Sequence, residues 1–175
     1  MLLALAVGLA SPTHASELTR EADVKAALLY NFTQFVQWPP ASFEESGGRL
    51  VIGILGRDPF GSVLDDLVAG ETVNGHPIEV ARCRDVAQAA RAHVLFISAS
   101  ERGRLPGILA ELQGRPVMTI GDFDGFLEAG GAVQLYRNAQ NKIRVRVNLP
   151  AARAAHLTLS AKLLRVVELG PASGK

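Results

Sequence analysis

The sequence predicts an α/β fold: three layers, a mainly parallel sheet with helices on both faces, and a C-terminal antiparallel hairpin. Three observations carry this. Leu50–Leu55 (LVIGIL), residues 93–97 (HVLFI) and residues 117–120 (VMTI) are continuous apolar runs, as strands buried on both faces require. Helical patterns stand between these runs, and strand–helix alternation with right-handed crossovers gives parallel order with helices on both faces. Past Gly130-Gly131 the pattern changes to two alternating strands, 132–137 and 142–148, joined by the loop Asn138-Ala139-Gln140-Asn141.

The first element is an amphipathic helix over residues 18–36. Val24, Leu28, Phe32 and Phe35 recur at helical spacing, and Trp38 before Pro39-Pro40 ends the run. Tyr30, Phe32, Phe35 and Trp38 lie close together, which suits packing on a sheet or an exposed aromatic patch. After the first apolar strand, Gly56–Gly61 is a turn and Ser62 starts a helix through Val68. Asn74-Gly75 is a tight bend, and residues 76–82 form a strand with Ile78 and Val80 inward. Asp85 caps a short helix through Arg91. Residues 101–113 are helical up to Gly114, with Leu105, Ile108, Leu109 and Leu112 on one side.

The stretch 117–136 organises the rest. A strand ends at Gly121-Asp122, an acidic turn or helix follows over 123–129, Phe126 plugs the core, and Gly130-Gly131 turns the chain into the hairpin. In 142–148, Ile143, Val145 and Val147 alternate with Lys142, Arg144 and Arg146, giving one core face and one basic face. That basic face is either a charge-guarded edge or a docking stripe for an acidic partner. A helical turn at 151–155 and a final helix at 159–169 complete the domain.

Length suits one domain, 16–170, with a frayed tail at 171–175. Lys and Arg number 18 against 17 Asp and Glu, so the basic excess typical of nucleic-acid proteins is missing. Residues 1–15 read as a secretory signal peptide, with an apolar region at 2–10 and a small residue at Ala15, too short to span a membrane. Cys83 is the only cysteine, which rules out an internal disulfide and fits a buried core thiol or an intermolecular bridge.

Catalytic signatures are missing. Gly56 and Gly61 fit half of a phosphate loop, but Ser62-Val63 stands where its Lys-Ser/Thr pair belongs, and no G-x-G-x-x-G occurs. What remains there is a helix start with a weak claim on an anion. No histidine pair has zinc-helix spacing, no G-x-S-x-G surrounds a serine, and Asp122 with Asp124 falls short of a calcium loop. His93, opening a buried strand, suits a satisfied core residue. Ser98, Ser100 and Asp122 sit at carboxyl ends of strands, where α/β proteins place ligands, and are the candidate pocket residues. No catalytic, cofactor or metal residue is assigned.

Four islands resemble the YfiR-like family of small bacterial periplasmic proteins. They are Tyr30-Asn31-Phe32 through Phe35 to Trp38-Pro39; His93 to Ser98; Gly121-Asp122, Gly125-Phe126 and Gly130-Gly131; and Asn148-Leu149 followed by Leu157, Leu159-Ser160 and Lys162-Leu163-Leu164. The resemblance implies a non-enzymatic, often dimeric periplasmic α/β regulator. It would bind the periplasmic domain of an inner-membrane diguanylate cyclase or sensor kinase and repress it, lowering cyclic di-GMP and biofilm formation. Lys142, Arg144 and Arg146 are the candidate docking residues. Relatives carry disulfides, whereas here Cys83 stands alone and His93 occupies a place where many relatives would have a cysteine. The alternative is a periplasmic small-molecule binder with its pocket near residues 56–61, 98–100 and 121–124; a hydrolase is the least favoured reading.

Overall fold

The computed structural model describes residues 12–170, with side chains from residue 20 onward. Residues 1–11 of the expected leader and the expected tail at 171–175 lie outside the described residues; 12–15 open the first helix.

The strands are β1 (Val36–Gln37), β2 (Leu50–Leu55), β3 (Thr72–Val73), β4 (His76–Cys83), β5 (Val94–Ile97), β6 (Met118–Gly121), β7 (Val133–Arg137), β8 (Ile143–Val147), β9 (Thr158–Leu159) and β10 (Glu168–Leu169). The helices are α1 (Pro12–Phe35), α2 (Val63–Val68), α3 (Val86–Ala89), α4 (Leu105–Glu111), α5 (Leu149–Ala154) and α6 (Ala161–Leu164), with 3-10 segments at Pro40–Phe43 and Ala99–Arg104. The main sheet runs β10-β8-β7-β6-β5-β2-β4-β3. From β7 through β6, β5 and β2 to β4 all neighbours are parallel; β7 and β8 form the expected antiparallel hairpin.

Both faces of the central strands are covered, so β5 and β6 are buried at every position. Ala26, Leu29 and Phe32 of α1 and Leu64 of α2 pack on one face with Ile52, Phe96 and Ile120. Val86 and Ala89 of α3 and Leu105 and Ile108 of α4 pack on the other with Leu95 and Ile97. The three-layer α/β expectation therefore holds.

Several boundaries differ for physical reasons. The expected helix over 159–169 is only the four-residue α6, capped by the Ser160 hydroxyl accepting from Leu163 N–H. The chain then returns to extended form, and β10 pairs in parallel with β8, held also by Gly170 N–H donating to Val147 O. Strand β8 is therefore not the sheet edge. The segment before α4 is a 3-10 turn, because Pro106 lacks an N–H and is tolerated only in the first turn of an α-helix. Helix α1 begins at Pro12, six residues before the expected start. The turn expected at 151–155 is α5, which starts earlier because Asn148 caps it by accepting from Ala151 N–H.

Phe126 is fully buried. An added Cβ at Gly121 would lie 2.3 Å from its ring, and one at Gly131 2.2 Å. The ring is thus clasped between the two glycines that end β6 and precede β7.

Candidate functional site

At the carboxyl ends of the parallel strands, the expected pocket residues are committed within the chain. The Ser98 hydroxyl accepts from Ser100 N–H at 3.3 Å and starts the 3-10 turn, and the Ser100 hydroxyl accepts from Arg57 N–H at 2.9 Å. Asp122 turns towards α1 and takes Lys25 Nζ at 2.6 Å. Lys25 also pairs with Glu21 at 2.5 Å, and Glu21 with Arg137 of β7. Burial raises the Glu21 carboxyl, but hydrogen bonds from Lys25 and Arg137 outweigh it and hold the group below its ordinary value. No hydrogen bond joins Asp122 to Ser98 or Ser100 among the described residues.

The glycine-bounded turn 56–61 is filled by its own carboxylates. Asp58 accepts from Phe60 N–H at 2.7 Å and from Arg82 Nε at 3.0 Å. Arg82 also donates to both Asp65 oxygens, at 2.6 and 2.5 Å, and to Gly61 O. Those hydrogen bonds lower the Asp65 carboxyl and raise Arg82. With Asp65 and Asp66 in its first turn, α2 presents negative charge where an anion would sit.

On β8 the alternation read from sequence stands. Val147 is buried and Ile143 and Val145 pack against the core, while Lys142 and Arg144 are exposed. Arg146 is different: its guanidinium lies 4.4 Å from the Tyr136 ring centroid and pairs with Glu168 of β10 at 3.4 Å. The Tyr136 hydroxyl and Arg146 together hold Glu168 below its ordinary value. Among the described residues the side chains of Lys142 and Arg144 form no hydrogen bond or ion pair, so they are the outward cations of the stripe.

The aromatic run after α1 divides by position. Phe32 and Trp38 are core, whereas Tyr30 donates to Glu71 at 2.8 Å and Phe35 carries Lys162 over its ring. Trp38 Nε1–H donates to His93 O at 3.1 Å. His93 is 1% exposed; its Nδ1 accepts from Val51 N–H at 3.1 Å, which leaves the proton of the neutral ring on Nε2. Phe43 stacks between His93, at 4.5 Å, and His76, at 3.8 Å. Burial, aided by His76, pushes His93 down to about 4. Its Nε2 faces the Ser42 backbone without a properly formed hydrogen bond. His93 is thus a core residue, but one whose second nitrogen is unsatisfied. Cys83 is half-buried and free, with its thiol pushed up by burial.

A family model described as YfiR/HmsC-like matches residues 22–168. The chain belongs to the YfiR/HmsC-like family. No curated protein matches the sequence. The family is regulatory rather than catalytic. Among the described residues of this YfiR/HmsC-like chain, no helix is long and apolar enough to cross a membrane.

Two concavities of the YfiR/HmsC-like domain escaped the sequence reading. One, of about 160 Å³, is an apolar groove between α1, β8 and α6, lined by Leu28, Phe35, Val145, Leu163 and Val166, the last 79% exposed. The other, of about 250 Å³, opens at the amino ends of β5 and β6, opposite to where the pocket is expected, and has His93 in its wall. Neither leaves a sequence signal, because each joins segments distant in the chain.

Proposed function

We propose that this chain is a periplasmic repressor of an inner-membrane diguanylate cyclase, binding the cyclase's periplasmic domain and favouring its inactive state. The observation that carries this reading is the family match over residues 22–168. The exposed cations Lys142 and Arg144 on the antiparallel β7–β8 hairpin support a docking face for an acidic surface. Arg146, anchored by Tyr136 and Glu168, borders that face. Export through the leader at 1–15 places the regulator in the same compartment as the sensory domain, and a homodimer would present the stripe twice. Repression follows from binding one of two receptor states more tightly than the other.

The test is direct binding of the purified chain to the periplasmic domain of a membrane diguanylate cyclase encoded beside it. Affinity should fall with added salt, and Lys142→Glu with Arg144→Glu should weaken it by about tenfold or more, through loss of charge complementarity. Absence of binding, or binding indifferent to salt and to charge reversal, contradicts the reading.

A further inference from the structure

The cavity at the amino ends of β5 and β6 combines an apolar interior with arginines that the fold holds weakly or not at all. Its walls are formed by Pro39 and Ala41 from the segment after β1, by Ala92 before β5, and by Pro116 before β6. Its rim carries Arg91, Arg115 and His156. Among the described residues the Arg91 guanidinium makes no ion pair and no hydrogen bond. Among the described residues the Arg115 side chain is held only by Glu45, through long exposed contacts of 3.3 and 3.4 Å, which are weak in water. His156 is in the left-handed region at φ 58°, unusual for a residue other than glycine, and among the described residues its ring has no partner.

Behind this rim stands His93. Its Nδ1 is spent on Val51, so Nε2 carries the proton; it is buried and faces the backbone of Ser42, itself part of the cavity wall, without a well-formed hydrogen bond. A buried donor whose hydrogen bond is poorly formed is costly and marks a place where a better-placed acceptor would be favoured. One acceptor group entering past Ser42 would satisfy it while meeting Arg91 and Arg115. The single acid, Glu45, is outnumbered by these cations.

We propose that this cavity binds a small organic carboxylate with a compact apolar body. The carboxylate meets the Arg91 and Arg115 guanidinium groups and accepts from His93 Nε2–H after a small displacement of the Ser42 backbone; the apolar body rests on Pro39, Ala41 and Pro116. A volume of about 250 Å³ is below the range typical of drug-sized ligands and suits a body of about one ring. The site is at the opposite end of the strands from Ser98, Ser100 and Asp122, and nothing in it rests on the regulatory reading.

The test uses the full chain with sodium benzoate as the probe, and benzamide and sodium sulfate as comparators at constant ionic strength. Calorimetry should show saturable benzoate binding at low millimolar concentration, with a rise in Tm and shifts of the His93 and His156 imidazole NMR signals. Benzamide should bind at least about tenfold more weakly, as should benzoate to the Arg91→Gln, Arg115→Gln double variant, because a hydrogen bond to a charged group is lost in each case. Both arginines are exposed, so an unchanged Tm without ligand will show that the variant folds. No saturable binding, equal binding of benzamide, undiminished binding to the double variant, or NMR shifts that spare both histidines would each overturn the proposal. Binding of sulfate without benzoate would show an inorganic anion only and overturn the carboxylate assignment.

Discussion

Phe126 shows how one residue can explain two glycines. Its ring fills the space where Cβ atoms of Gly121 and Gly131 would lie, while Gly130 is needed for a different reason, its φ of 103°. Gly131→Val should therefore destabilise the fold by about 3 kcal/mol or more, since a buried ring must move, whereas Gly130→Ala should cost about 1–2 kcal/mol in backbone strain alone. Denaturant unfolding of the two variants separates these values. At the same scale, His93 makes stability depend on pH. Its value is about 4 in the folded chain and about 6.5 when exposed, so the unfolded chain takes up the proton first as pH falls. The stabilisation is complete above about pH 6.5 and is lost as pH drops towards 4, on the order of 3 kcal/mol in all. Urea unfolding across this window should show the slope, and His93→Phe should flatten it. A slope unchanged in His93→Phe would assign the effect to the carboxylates instead.

Among elements, α1 is tied to the sheet by more than its apolar face. Lys25 is 11% exposed and joins Asp122, 97 residues away, to Glu21 and so indirectly to Arg137. Lys25→Met should cost about 1–3 kcal/mol, because it leaves the half-buried Asp122 unpaired, and adding Asp122→Asn should recover part of that loss rather than add to it. A double-mutant cycle by thermal unfolding measures the coupling. Asp122 also marks the limit of what the sequence shows. Its place after β6 is legible, since Gly121 ends an apolar run; its partner is not, because nothing local points to residue 25. The same holds for the C-terminal segment. Leu163, Leu164, Val166 and Val167 fit helical spacing, yet residues 168–169 are drawn into β10 by the free edge of β8. Strands β1, β9 and β3 are likewise too short, at two residues each, to leave a period. By contrast, β2, β5 and β6 were readable because burial on both faces writes an unbroken apolar run.

For the whole molecule, the architecture separates two regions of different character. The β7–β8 hairpin offers exposed cations on a braced strand, and the amino ends of β5 and β6 enclose a small cationic-rimmed cavity. The stripe of Lys142, Arg144 and Arg146 was visible in the sequence because strand alternation separates the two faces of β8, although Arg146 proves to be bound to Tyr136 and Glu168. The cavity was invisible because its rim is assembled from residues 45, 91, 115 and 156. Exposed charge reversals distant from packed groups usually change stability by less than about 0.5 kcal/mol. The Lys142→Glu, Arg144→Glu chain should thus remain folded and exported while losing its partner. The most direct measurement is cellular cyclic di-GMP in a strain lacking this gene, complemented with either the natural chain or that double variant. The account predicts a raised level on deletion, restored by the natural chain and left raised by the variant at equal periplasmic abundance; a level that does not change on deletion would contradict it.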